Sequence, residues 1–377
     1  MKIRDFKSGH WIQQYQYKSF SPNLINHSWV IDDEQLNFAL SKANILLGEL
    51  NAFSTLIPNV DFFIKMHVIK EANSSSRIEG TQTGIEDILQ KKENIRPEMG
   101  DDWQEVENYI MAMNMAINEL NRLPLCNRLL KQTHGVLLQN VRGENKYPSE
   151  FRASQNWIGG ASINDAIFIP PHPTEVMDLM SDLEKFLQNK NIFVPDLIKI
   201  AIAHYQFETI HPFCDGNGRI GRLLITLYLV NEQVLCKPTL YLSDFFAKNK
   251  SLYYDNLMIV RHNNNLTQWL RFFLEGVAQT TESSIDTFKK IIAMKEQIEQ
   301  NKILKMGRKT KIAQQFLLYL FRQPIVETED FVKEFNINKS TALSLINNFM
   351  EMEILKEMTG FKRNRIFVFE DYICLFE

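Results

Sequence analysis

The sequence predicts a mainly helical protein, and three observations carry that expectation. Apolar residues recur at helical spacing through roughly the first 300 residues. Within that stretch only "ASINDAIFIPPHP" alternates like a strand pair, around a short polar bend. Roughly the last 70 residues then change character, running helix, helix, turn, helix and an alternating two-stranded tail.

Each element has its own signal. "DDEQLNFALSKANILLGELNAF" opens on Asp and repeats apolar residues every three or four positions. "VDFFIKMHVIKEANSSSRIEG" does the same and closes on Ser and Gly. "DDWQEVENYIMAMNMAINEL" is a third helix, stopped near Pro124. "TEVMDLMSDLEKFLQN" is a fourth, with Thr174 as its expected N-cap. "VPDLIKIAIAHYQFETI" begins with Pro195 in the first turn, and "RIGRLLITLYLVNEQ" follows a polar turn. Both are apolar nearly all round, so both belong in the core. From about Thr267 to Lys305 the pattern is helical and increasingly polar, and "NKILKMGRKTK" reads as a junction. After it come "KIAQQFLLYLFRQP", "TEDFVKEF", "TALSLINNFMEMEIL" and "KEMTGFKRNRIFVFED", with Gly360 at the last bend. That order is the order of a winged helix-turn-helix.

Composition narrows the function classes. With 377 residues, two or three domains are expected. A formal net charge of −3 gives no global attraction to nucleic acid or anionic membrane, so such binding would need a local patch. Cys126, Cys214, Cys236 and Cys374 are scattered and form no CxxC pair, which points to free thiols in a reducing compartment. "MKIRDFKSGHW" lacks the apolar stretch of a secretory signal, and no apolar run reaches membrane-spanning length. The expectation is a cytoplasmic protein without membrane contact.

The chemistry concentrates in "ETIHPFCDGNGRIGRLLITLYLV". Gly216 and Gly218 allow a tight bend and close backbone approach to a ligand. The following helix presents unpaired N–H groups and the positive end of its dipole. Arg219 and Arg222, three apart, add guanidinium forks suited to phosphate oxygens. Asp215 would repel phosphates unless a divalent cation such as magnesium lies between them. Asn217 can donate to a phosphate oxygen without adding charge. His211, just upstream, is of the type that takes a proton from an attacking hydroxyl near neutral pH. A DGNG sequence is ordinarily a plain turn; His, Asp, Asn, spaced Gly and two Arg in twelve residues are not ordinary. No strand precedes the turn, so the P-loop and dinucleotide-fingerprint readings lack their context.

"HPFCDGNGRIGR" resembles the signature of the Fic family, HPFx(D/E)GNGRxxR, at every fixed position. "FRASQNWIGG", "FIPPHPTEVMDLMSDLEKFL", "AHYQFETIHPF" and "LYLSDFFAKNKSLYYDNL" extend the likeness over roughly residues 100–280. The resemblance implies a Fic-type helical core and AMP transfer from ATP to a protein Ser, Thr or Tyr hydroxyl, self-modification included. It implies that His211 is the general base, and that Asp215 holds Mg²⁺ against the α- and β-phosphates. Gly216, Asn217, Gly218 and Arg219 would cradle the phosphates, and Arg222 would reach the γ-phosphate. The hairpin comprising Ser162, Ile163, Asn164, Asp165, Ala166, Ile167, Phe168 and Ile169 looks like the Fic flap, which aligns the target by strand-like pairing. Tyr253, Tyr254 and Asn256 resemble residues near the adenine pocket.

A second stretch, "SSSRIEG", fits the family's inhibitory pattern (S/T)xxxE(G/N) with Ser75, Glu79 and Gly80. The resemblance implies that Glu79 pairs with Arg222 and fills the space of the γ-phosphate, so the protein is expected to be autoinhibited. In some family members the same Glu also supports AMP removal. The expected domains are 1–98 (helical, carrying the inhibitory helix), 99–280 (catalytic core), 281–307 (linker) and 308–377 (winged helix-turn-helix). That last unit has ten Lys or Arg against ten Asp or Glu, which weakens a DNA-binding reading. Only "KRNR", residues 362–365, is locally basic, so protein docking or a homodimer is preferred to DNA. Two rival readings stand beside AMP transfer. One is transfer of another phosphate ester, such as UMP, phosphate or phosphocholine. The other is a non-enzymatic DNA-binding regulator, which would have no need of His211.

Overall fold

The computed structural model describes residues 1–56, 60–141, 145–360 and 365–376. About 65% of the chain is helical and the sheets are small, as the periodicity predicts. An N-terminal hairpin, β1 (Gly9–Gln13) and β2 (Lys18–Pro22), precedes α1 (Glu34–Leu56), α2 (Val60–Glu79) and α3 (Ile85–Leu89). Then follow α4 (Gly100–Glu119), α5 (Asn127–Leu137), α6 (Pro173–Gln188), α7 (Asp196–Ile210) and α8 (Asn217–Asn231). α9 (Ser243–Lys248), α10 (Lys250–Asn263) and the long α11 (Leu266–Asn301) complete the larger part. The C-terminal part comprises α12 (Thr310–Arg322), β3 (Ile325–Glu327), α13 (Thr328–Phe335), α14 (Lys339–Glu351), β4 (Lys356–Glu357), β5 (Ile366–Val368) and α15 (Glu370–Ile373).

α7 and α8 are the centre. Every residue of α7 from Leu197 to Ile210 is buried, polar ones included. An all-round apolar helix reaches that state only when other helices cover every face. α6, α8 and α11 pack against α7, while α2, α4 and α5 also pack against α8. α1 lies along α11. The polar turn between α7 and α8 is therefore held by two fully packed helices.

Several local expectations need correction. The hairpin β1–β2 was not foreseen, because "GHWIQQYQYKSFSP" is polar and lacks an Asn-Gly or Asp-Gly bend. Tertiary packing fixes it: Trp11 and Phe20 pack edge-on with each other and close to Phe168. The cap of α6 is His172 rather than Thr174; its Nδ1 accepts from the Thr174 N–H, with Pro173 in the first turn. Pro195 precedes the first turn of α7 as its N-cap. The C-terminal unit has a third strand, in sheet order β3–β5–β4. All three residues of β5 are buried, so β5 needs partners on both edges. Of the basic "KRNR" segment, residues 362–364 lie outside the described residues. The C-terminal unit rests on the N-terminal region: Lys91 pairs with Glu327 at 3.2 Å and Asp330 at 2.9 Å, and Lys65 Nζ donates to Gln323 Oε1 at 3.0 Å.

Three histidines outside the polar turn are buried: His67, His134 and His204. Burial pushes His67 and His204 down to about 3 and His134 to about 4. They stay neutral in the fold but take up protons when unfolded, near 6.5. The sign follows: stability is full above 6.5 and is lost as pH falls below it toward the depressed values. The midpoint of urea unfolding should therefore drop steadily between pH 7 and pH 5. A flat midpoint over that range would contradict this burial.

Candidate functional site

The site is built where α7 stops. Its C-cap, His211, adopts left-handed backbone angles (φ 50°, ψ 59°), with its N–H still bonded to Phe207 O at 2.9 Å. Gly216, at φ 72°, is the N-cap of α8, and that conformation favours glycine. Between them, Asn217 locks the loop from inside. Its Oδ1 accepts from the Phe213 N–H and its Nδ2 donates to Phe213 O, both at 2.8 Å. The Asn217 amide is thus engaged in shaping the loop, and what faces a ligand is the amide-rich start of α8.

Three groups not singled out from the sequence complete the frame. Arg152 is buried and donates to four carbonyl oxygens: His211 (2.9 Å), Pro171 (2.6 Å), Ser154 (3.2 Å) and Ile210 (3.3 Å). Asn156 Nδ2 donates to His211 O at 3.2 Å and Phe213 O at 2.9 Å. His134 stacks on Phe213 with ring centroids 3.9 Å apart. Its Nδ1 accepts from the Ser149 N–H, so its Nε2 carries the proton and donates to Asp215 O at 3.0 Å. Arg152 lies in "FRASQNW", and "KQTHGVLL" supplies His134; neither has a spacing that marks it locally. Replacing Arg152 by Leu removes a donor from the buried carbonyls of Pro171 and Ile210 and loosens the grip on His211 O, and should cost about 3 kcal/mol of unfolding free energy. Urea unfolding would measure it, and a loss within about 0.5 kcal/mol, as for an ordinary surface substitution, would refute this role.

Arg222 is sealed, with a side-chain exposure of 1%, whereas the Glu79 side chain is 37% exposed and faces open space. Arg222 donates from Nη2 to Glu79 Oε1 at 2.7 Å and to Ser75 O at 3.0 Å, and from Nε to Ser75 Oγ at 2.9 Å. Burial opposes both charges, but mutual attraction outweighs it, leaving Glu79 below and Arg222 above their ordinary values. Gly80 ends α2 at φ 116°, its N–H bonded to Ser76 O. α2 is pinned upstream at buried Glu71, which accepts from the Tyr109 hydroxyl (2.9 Å), the Ser243 hydroxyl (2.5 Å) and the Ser243 N–H (3.1 Å). Ser75 and Glu79 thus both lie against Arg222. A Cβ at Gly218 would sit 2.2 Å from Glu79 Oε1, so only glycine allows this approach.

A pocket of about 310 Å³ opens here, lined by His211, Asp215, Gly216, Gly218, Arg222 and Glu79 among others. Tyr253 and Tyr254 also line it; Tyr253 is buried, with its hydroxyl bonded to His204 Nε2 at 2.9 Å. Asn256 does not line it, and its Nδ2 is turned back onto Leu252 O at 2.8 Å. Arg219 does not line it either. Its Nη1 lies 3.4 Å from Glu105 Oε2, so the two arginines of the motif serve different carboxylates. His211 is held neutral, pushed to about 3 by burial and then by Arg261 and Arg152. Asp215 is half-buried, and its Oδ1 accepts from the Gly216 N–H at 2.6 Å. Among the described residues no group of three or more His, Cys, Asp or Glu could hold a metal ion alone.

The flap differs in detail from a regular hairpin. Its arms meet at one antiparallel bridge, Ile158–Phe168, and its tip is a 3-10 turn over Ile163–Asp165. Asp165 ties that tip by accepting from the Ser162 N–H (2.7 Å) and the Ala161 N–H (2.8 Å). Ser162, Asn164, Asp165 and Ile167 are exposed, and Ile163 and Ala166 are half-buried. Phe168 and Ile169 are buried, against the expectation that they face a target. Phe168 lies under Arg261, whose guanidinium carbon is 3.9 Å from the ring centre, and Ile169 O accepts from the Phe20 N–H at 2.9 Å. The N-terminal hairpin therefore occupies the backbone edge at Ile169.

A neutral histidine, a buried arginine and a helix N-terminus stand round one pocket, on a mainly helical core with a short two-armed loop. The chain belongs to the Fic/DOC family. Residues 38–118 match the family's N-terminal model (Fic/DOC family N-terminal) and residues 124–229 match its main model (Fic/DOC family). It is 32% identical over 140 residues to "Protein adenylyltransferase Fic" of Aedes aegypti, covering 37% of this chain and 24% of that one. It is 29% identical over 191 residues to "Protein adenylyltransferase fic-1" of Caenorhabditis briggsae, covering 48% and 33%. The chain thus spans about a quarter to a third of the length of these curated relatives. The crystal structure of a Fic family protein from Desulfovibrio desulfuricans G20 shares the fold, with TM-score 0.57, 19% identity, and 92% of this chain and 98% of that one covered. A Fic domain containing signalling protein from Bacteroides thetaiotaomicron covers 68% of this chain and 97% of its own, with TM-score 0.51 and 18% identity.

Proposed function

We propose that the protein transfers AMP from ATP to a hydroxyl of a protein, itself included, and that Glu79 restrains it. The observation that carries this reading is the meeting, at one open pocket, of neutral His211, the N-terminus of α8 and Arg222 bonded to Glu79. The names of the relatives, protein adenylyltransferases, point the same way.

In this reading the phosphates of ATP lie on the first-turn amides of α8, around Gly216 and Gly218. Arg222 takes the γ-phosphate once Glu79 leaves, and Asn217 and Arg219 act indirectly, by holding the loop and pairing with Glu105. His211 removes the proton from the target hydroxyl as its oxygen attacks the α-phosphorus, and pyrophosphate leaves. Tyr253 and Tyr254 flank the adenine, and the exposed flap residues 162–167 align the target. Asp215 suits Mg²⁺, since one carboxylate beside a phosphate site is its usual protein share. When bound, the ion neutralises developing phosphate charge. No helix among the described residues is long and apolar enough to cross a membrane, and a cytoplasmic site of action is part of the proposal. The domain limits 1–98, 99–280, 281–307 and 308–377 remain our division. The last unit, read as a winged helix, serves docking or dimerisation rather than DNA.

Intact-mass measurement of the protein incubated with ATP and Mg²⁺ tests the reading. Gain of AMP-sized mass by Glu79→Gly, and not by Glu79→Gly with His211→Ala, is expected. Equal gain from UTP would favour the rival ester transfer. No gain from any nucleotide, with a known target class supplied, would overturn it.

A further inference from the structure

Glu208 lies one turn before His211 at the end of α7, lines the pocket, and has no part in the scheme above. Its side chain is 8% exposed. Its Oε2 is 4.0 Å from His211 Nδ1, and both Glu208 Oε1 and His211 Nδ1 are buried without a hydrogen-bond partner. Buried polar atoms are almost always paired, so an unpaired ring nitrogen beside a carboxyl group that itself has an unpaired oxygen needs a reason. Space for the carboxyl is made by Gly221 of α8, where a Cβ would fall 2.1 Å from Glu208 Oε1.

We infer that Glu208 is the positioning residue of His211: its carboxylate receives the Nδ1 proton side of the ring, leaving Nε2 free to take the proton of the target hydroxyl. A movement of about 1 Å brings the pair into hydrogen-bond range. The inference rests on the adenylyl-transfer reading and deepens it. His211 needs such help. It is a weak base beside Arg261 and Arg152, and taking a proton turns it into an imidazolium near two guanidinium groups. Glu79, the other nearby carboxylate acting on it, must leave for ATP to bind productively. Glu208 then remains to stabilise the imidazolium, as a carboxylate does for a base histidine.

The groups facing Glu208 set when it is charged. They are Arg222 from α8, Glu79 from α2, and Arg261, Tyr253 and Tyr254 from α10. Burial raises its carboxyl to about 7, with Arg222 and Arg261 opposing and Glu79 reinforcing. Removing Glu79 therefore moves the ionisation below about 7. In free enzyme, His211 itself does not titrate near neutrality.

The test is the pH dependence of kcat/KM for AMP incorporation, read in the Glu79→Gly protein with and without Glu208→Gln or Glu208→Asp. The Glu79→Gly protein should show a rise in kcat/KM with pH, with its midpoint below about 7. Glu208→Gln, equal in shape, should flatten that rise and lower the plateau about tenfold while ATP affinity holds. Glu208→Asp should restore part of the step. Gly221→Ala, which displaces the carboxyl without removing it, should reproduce the flattening. An unmoved step in Glu208→Gln overturns this inference alone. Absence of AMP incorporation by Glu79→Gly at every pH overturns the adenylyl-transfer reading and this inference with it.

Discussion

Glu79→Gly is expected to raise the rate of the proposed AMP incorporation by about a hundredfold, the usual effect of correcting a misplacement near 1 Å at a reacting centre. The carboxylate occupies the Nη2 face of Arg222 at 2.7 Å and crowds Gly218, both of which the proposed triphosphate pose would use. The substitution should cost some stability, because sealed Arg222 loses its carboxylate partner. Arg222 keeps both Ser75 contacts and faces the pocket, which limits the cost of leaving a buried guanidinium without its carboxylate. Glycine at the last helical position costs less than the roughly 1 kcal/mol of a helix interior. Glu79→Gln, which keeps the shape and a hydrogen-bonding group but loses the charge, should fall between. Rate measurement with labelled ATP decides. Equal rates for wild type and Glu79→Gly would mean that the Arg222–Glu79 pair does not govern catalysis.

His211→Ala, made in the Glu79→Gly protein, is expected to lower the rate by about 10²- to 10⁴-fold, the range lost with a general base. ATP affinity should change little, because in the proposed pose the phosphates rest on the amides of α8 and on Arg222 rather than on the histidine ring. The loop should also survive, since Arg152 and Asn156 grip the backbone carbonyl of residue 211, not its side chain. Equilibrium ATP binding and single-turnover transfer, measured on the same sample, separate the two effects. A variant that loses ATP binding in parallel with rate would recast His211 as a structural group.

The contrast between the two motif arginines explains what sequence could and could not provide. Their spacing of three put them on one helix face, and the family resemblance gave both a phosphate role. Arg222 meets Glu79 and Ser75 because α2 crosses α8 there, whereas Arg219 is drawn to Glu105 by the neighbouring α4. No local spacing encodes which helix lies opposite. Asn217 shows the same limit: its residue type fits a phosphate donor, but loop closure uses both ends of its amide. The flap was legible as a bend between alternating arms, yet Phe168 and Ile169 are inside because the unforeseen N-terminal hairpin and Arg261 cover them.

The sequence by itself determined the helical class, the two buried central helices, the polar turn with His211, Asp215 and Arg222, and the Ser75–Glu79–Gly80 segment. These are carried by periodicity and by contiguous residue types, which short-range sterics and hydrogen bonding translate directly into structure. Only the tertiary structure decided which charges meet, that Arg152, His134 and Asn156 hold the loop, and that the Glu208 carboxyl lies 4.0 Å from His211 Nδ1. Those facts depend on long-range packing, and burial then sets their energetics, because a charge or an unpaired polar atom matters most where water is excluded.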